Sequence, residues 1–180
     1  MEKEQDKELV LAAANGDKAA YGRLYDRYAP LVRAVCYDQT KNVSDAQDLA
    51  QDVFLRAYQR LGQLREPELF GAWIVSTARY RCSDWRRKKS RQRRRETVRA
   101  RTEPGVTAPS EQIEPEELRA MVARLPDKER LALHVFYLNG QSADEACRIV
   151  GLSRSGFYRA LDRAREQLRS MLDPELENTP

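Results

Sequence analysis

The sequence predicts an all-α protein of two small helical domains joined by a flexible linker. Three observations carry that expectation. Apolar residues recur at i, i+3, i+4 and i+7 in segment after segment, the pattern of helices burying one face. Residues 90–115, SRQRRRETVRARTEPGVTAPSEQIEP, lose that period and gather Pro, Gly, Ser and Thr, as a linker does. Beyond them, SADEACRIVGLSRSGFYRAL (142–161) has the spacing of a helix-turn-helix. The expected organisation is a first helical domain over 1–89, a linker over 90–115, a second domain over 116–173 and a tail over 174–180.

In chain order, residues 3–14 read as a short helix closed by Asn15-Gly16. Asp17 caps a second helix whose apolar side holds Ala20, Tyr21, Leu24, Tyr25 and Tyr28, and Pro30 is expected to kink or restart it before Leu31, Val32 and Val35. The polar stretch 37–43 reads as a loop. The helix over 44–61 opens on a Ser44/Gln47 capping box. One of its faces (Ala46, Leu49, Ala50, Val53, Phe54, Ala57, Tyr58, Leu61) builds the core, whereas Asp48, Gln51, Asp52, Leu55 and Gln59 lie opposite. Two carboxylates, amides and an unused leucine suit docking against a partner helix, although a solvated face with one stray apolar residue has the same pattern.

GQLREPELFG (62–71) reads as a loop. The helix over 70–89 is expected to bury Phe70, Trp73, Ile74, Thr77, Ala78 and Trp85 and to turn out Val75, Arg79, Ser83, Arg86 and Arg87. Residues 79–101 hold twelve Lys/Arg against two acids, a net +10 that leaves −6 for the rest of a chain totalling +4. A basic stripe beside aromatics is the footprint of a nucleic-acid surface, and stacking aromatics with phosphate-binding arginines suit a strand being opened. Further helices run over 116–125 and 127–138, and Ser142 with Glu145 makes another capping box. In the helix-turn-helix, Cys147 sits four residues before Gly151, and Ala146, Val150, Leu152, Phe157, Ala160 and Leu161 form the seam. Ser153 caps the second helix, whose outward side carries Ser155, Arg159, Asp162, Arg163 and Glu166, with Arg154 and Tyr158 near its start.

Composition excludes several classes. With 41% hydrophobic and 33% charged residues the chain can build compact cores, and no apolar run reaches membrane-spanning length, so a cytoplasmic protein without membrane insertion is expected. Cys36, Cys82 and Cys147 are odd in number and lack CxxC or Cys/His spacing, so small core residues are expected, with no metal site and no cofactor. The single histidine, His134, lies in an apolar run. No nucleophile, base and orienting group converge, which argues against an enzyme.

The stretches DAQDLAQDVFLRAY (45–58), FGAWIVSTARYRCSDWRR (70–87), LPDKERLALHVFYLNGQSADEACRIVGLS (125–153) and LDRAREQLRSML (161–172) together resemble a bacterial RNA polymerase sigma factor of the small extracytoplasmic-function group. The resemblance implies that Asp48, Gln51, Asp52 and Leu55 dock on a coiled coil of the polymerase largest subunit, with the polymerase flap as a second contact. It implies a minus-ten surface of Arg65, Phe70, Trp73, Arg79, Tyr80, Arg86 and Arg87 on melted promoter DNA. The helix-turn-helix would then read a double-stranded minus-thirty-five element through Arg154, Ser155, Tyr158, Arg159 and Arg163, while the linker threads toward the active-site channel. An anti-sigma factor is a further partner the family admits. Gln47, Tyr80, Cys147, Tyr158 and Asp162 depart from the usual family pattern, which leaves the promoter sequence open. Two other readings stay open: a helix-turn-helix regulator with no polymerase affinity, and a sigma-like decoy that binds an anti-sigma factor without initiating.

Overall fold

The computed structural model describes residues 6–96, 115–140 and 142–172, with side chains described for 6–91, 117–140 and 142–172. The expected helix start at 3–5, the later part of the linker and the tail lie outside the described residues. Eight α-helices are described: α1 (Asp6–Ala14), α2 (Lys18–Thr40), α3 (Val43–Arg60), α4 (Phe70–Glu96), α5 (Pro115–Arg124), α6 (Asp127–His134), α7 (Ala143–Val150) and α8 (Arg154–Leu172). Short 3-10 turns occupy Leu61–Gln63 and Pro67–Leu69, and a π-helical segment, Val135–Asn139, continues α6.

α2 is the axis of the first unit, packing on α1, α3 and α4. Asp17 caps it as expected, accepting from the backbone N–H groups of Ala19 and Ala20 at 2.8 and 3.0 Å. Two expectations for this helix are revised. Pro30 does not restart the helix, which runs continuously through it, and residues 37–40 are helical, the turn waiting until Lys41 at φ 53°. The missing hydrogen bond at an interior proline costs about 3 kcal/mol. Tyr28, Ala29, Leu31 and Val32 are all buried around it, and burial at roughly 1.5–3 kcal/mol per large side chain outweighs that loss.

α3 is capped by Asn42, whose side chain accepts from Asp45 N at 2.9 Å, in place of the expected Ser44/Gln47 box. Its core stripe is buried as read except for Tyr58, which is exposed and packs edge-on against Tyr21 at 4.8 Å. The expected loop over 62–71 is largely wound into the two 3-10 turns and the start of α4. α4 continues past Lys89 to Glu96, taking the first basic residues of the linker into helix. Val75, expected outside, is buried, whereas Thr77, Trp73 and Trp85 are half-buried. Cys36 and Cys82, distant in sequence, meet in this core: the hydrogen bond from Cys82 and burial push the Cys36 thiol far above its usual range.

The helix-turn-helix forms as read. Ser142 caps α7, Gly151 ends it at φ 71° where an L side chain would be strained, and Ser153 accepts from Gly156 N at 3.2 Å to start α8. The capping box is only half made, because the Glu145 side chain reaches Tyr28 of the first unit. α7 lies on α4, and Leu131, Ala132, Val135, Ala146, Ile149, Val150, Phe157 and Ala160 join the core of the first unit. A second, smaller cluster gathers Leu125, Leu133, Leu161 and Ala164.

Candidate functional surfaces

α3 presents Asp48, Gln51 and Leu55 to solvent, with Leu55 59% exposed. Asp52 behaves differently: Arg56 Nε is 3.0 Å away and Arg81 Nε of α4 donates at 2.6 Å. Partial burial pushes the Asp52 carboxyl up, but Arg81 and Arg56 outweigh it and hold the group below the usual carboxylate range. Asp52 thus ties α3 to α4 while remaining partly accessible. Beside Leu55 lies an apolar groove of about 370 Å³, lined by Lys18, Tyr21, Tyr25, Gln51, Phe54, Leu55 and Tyr58. Sequence reading placed its tyrosines in the core. The signal was available in part, because Tyr21 and Tyr25 are one helical turn apart, but a tyrosine at a core edge has the same spacing as one inside.

On α4 the exposed side carries Arg79, Tyr80, Arg86 and Arg87, and Tyr80 is 64% exposed with nothing in the fold to explain it. Arg65 is exposed just before α4. Trp73 is half-buried, and Phe70 is fully buried with its ring 5.3 Å from that of Tyr28, so Phe70 serves packing in this arrangement. Lys89 lies 4.3 Å from the Trp85 ring centre and pairs with Asp45 at 2.8 Å, which fixes the later part of α4 to the start of α3.

On α8, Arg154, Ser155, Tyr158, Arg159 and Arg163 are exposed. Arg154 stands 4.0 Å from Asp144, while Arg163 is held by Glu129 at 2.9 Å, leaving Ser155, Tyr158 and Arg159 the less committed members. A surface not foreseen lies on the π-helical segment, where Phe136, Tyr137 and Leu138 are exposed and the Arg165 guanidinium sits 5.0 Å from the Phe136 ring centre.

An exposed acidic and apolar helix face, a helix with an exposed basic and aromatic side, and a helix-turn-helix are the arrangement of the two-domain class of sigma-70-type proteins. The family patterns described as "Sigma-70 region 2" and "Sigma-70, region 4" match residues 24–92 and 115–168. The ECF RNA polymerase sigma factor EcfG of Rhodopseudomonas palustris is 31% identical over 153 residues, covering 79% of this chain and 80% of that protein. The chain belongs to the extracytoplasmic-function RNA polymerase sigma factor family.

The probable RNA polymerase sigma factor RfaY of Xanthomonas campestris is 31% identical over 89% of this chain, and the ECF sigma factor BldN of Streptomyces coelicolor 31% over 86%. The chain spans 42% and 62% of the length of these two relatives. In fold it is similar to CnrH, solved with the cytosolic domain of CnrY, with a TM-score of 0.63 at 22% identity over 94% of this chain and 98% of that one. Among the described residues no helix is long and apolar enough to cross a membrane.

Proposed function

We propose that the chain binds core RNA polymerase and directs promoter-specific initiation, opening the minus-ten region with α4 and reading the minus-thirty-five element with α8. The observation that carries this reading is the pairing, on two helices packed against each other, of two surfaces the core does not use. One is Leu55 with Asp48 and Gln51 on α3; the other is Tyr80 with Arg79, Arg86 and Arg87 on α4.

The docking surface on α3 includes the neighbouring groove, so that a partner helix buries Leu55 together with Tyr25 and Tyr58 while its basic residues face Asp48. A buried apolar centre with charges at the rim is how a specific interface of modest area gains affinity. Tyr80 stacks on a base of the separated strand as Arg79, Arg86 and Arg87 hold its phosphates. Ser155, Tyr158 and Arg159 enter the major groove from the first turns of α8. Phe136, Tyr137 and Leu138 supply an apolar contact for the polymerase flap. The solved relatives CnrH and the Bartonella quintana RpoE are complexed with the CnrY cytosolic domain and the anti-sigma factor NepR respectively, and an anti-sigma partner is part of the proposal.

Tyr80→Ala separates opening from binding. The variant is expected to retain core affinity and duplex promoter binding but to show a several-fold loss of permanganate-reactive thymines around the start site, in line with about 1–3 kcal/mol per stacked base. Unchanged reactivity contradicts the role given to α4.

A further inference from the structure

Tyr28 is wholly buried, yet its hydroxyl lies within hydrogen-bonding distance of two carboxylates, Asp6 of α1 and Glu145 of α7. A phenol has one proton to donate, so two ionised carboxylates cannot both be satisfied by it. Arg27 of α2 pairs with Asp6, so the closed seam is satisfied when Glu145 carries a proton of its own. Burial, and then the facing Asp6, push the Glu145 carboxyl up to about 7, against the opposing pull of Tyr28 and of Arg148 on α7. Burial foremost, with both carboxylates, also keeps the phenol neutral by pushing it far above its usual range. Gly71 shows how close the approach is: a Cβ there would stand 2.7 Å from the Tyr28 hydroxyl oxygen and 3.0 Å from Ile149 Cδ1. Across the same seam, Asp38 of α2 meets Arg130 at 2.7 Å and His134 at 3.1 Å.

These contacts hold the two units in one body, whereas the function proposed above needs them apart. Elements at minus ten and minus thirty-five are separated by roughly 25 base pairs, about 85 Å of B-form DNA. A compact chain of this length has a radius of gyration of about 16 Å. The 18 residues between Glu96 and Pro115 can span about 60 Å when extended, so the open chain reaches both elements and the closed chain does not.

We propose that Asp6, Tyr28 and Glu145 form a proton-dependent latch that holds the helix-turn-helix unit closed on the first unit, and that this state excludes simultaneous binding of both promoter elements. The exclusion rests on the sigma-factor reading; the latch itself does not. The sign follows from the proton count. Glu145 is protonated when closed and ordinarily ionised near 4.5 when open, so the extra stability of the closed state is complete below that value and is lost as pH rises to about 7.

The test is energy transfer between dyes at Asn15 and Ser170, both exposed, in the full chain. The open-to-closed ratio is expected to rise roughly tenfold or more between pH 5.5 and 8. Glu145→Gln, the neutral isostere of the protonated acid, should stay closed at pH 8 and remove most of that response. The difference between the two chains isolates Glu145, because Asp38, Arg130 and His134 are unchanged. Tyr28→Phe, checked for retained helicity, should open the chain at both pH values. An identical pH response in wild type and Glu145→Gln, or a folded Tyr28→Phe chain as closed as wild type, overturns the latch. With core polymerase and a promoter fragment bound, transfer should fall; transfer that stays high in the bound complex overturns the exclusion. Failure of polymerase to bind at all is instead a failure of the sigma-factor reading, and the measurements on the isolated chain still decide the latch.

Discussion

Asp48 and Asp52 stand one helical turn apart on α3, and the fold gives them different work. Asp48 is exposed, whereas Asp52 accepts from Arg81, 29 residues away on α4. Asp48→Arg with Leu55→Ala should therefore leave the protein folded, since neither side chain belongs to the buried stripe, and abolish capture by core polymerase in a pull-down. Asp52→Ala should instead lower stability, by about 1 kcal/mol after allowing for its partial exposure, or roughly 2–4 °C in thermal melting. That contribution is present above the ordinary carboxylate value of 3.8 and is lost as pH falls below it, because the folded-state value is depressed. The outward stripe was legible from helical spacing. The division within it was not, because the partner that distinguishes Asp52 is brought in by tertiary packing, which periodicity within one helix does not report.

Helix identities were legible, and their ends less so. The turn between α7 and α8 could be read because Gly151 must adopt positive φ there and Ser153 is a good cap. Gly151→Ala should cost about 1 kcal/mol or more and lower the melting temperature, with strain as the cause since open space surrounds the position. Pro30 does not restart α2 because buried residues on either side hold the helix against the core, and Val75 was misread because α4 is covered on a second side by α7. The basic run after Lys89 read as linker whose first half could extend the helix, and α4 does carry it in helix as far as Glu96. Arginines on a continuous helix can track a phosphate backbone. Replacing Arg93, Arg94 and Arg95 with alanine should accordingly flatten the plot of log promoter affinity against log salt by up to about 2–3 in slope. An unchanged slope would assign those residues no phosphate contact.

Two domains were expected, and the described residues form two helical units, yet a single hydrophobic cluster runs through both. The join was hidden because each contributing residue already had a sufficient local explanation: Tyr28 on the apolar side of its helix, Glu145 as half of a capping box, His134 within an apolar run. Their meeting across 117 residues for Tyr28 and Glu145, and 96 for His134 and Asp38, leaves no trace in local pattern. Family was more legible than this arrangement, because the acidic and apolar stripe, the basic helix and the helix-turn-helix follow one another in the order of the two matched sigma-70 regions. The central claim is tested most directly by run-off transcription with purified core polymerase on genomic fragments. Discrete products are predicted only when this chain is added, and they should disappear with the folded Asp48→Arg, Leu55→Ala variant. No gain in specific initiation with the wild-type chain, or equal products from that variant, would contradict the account.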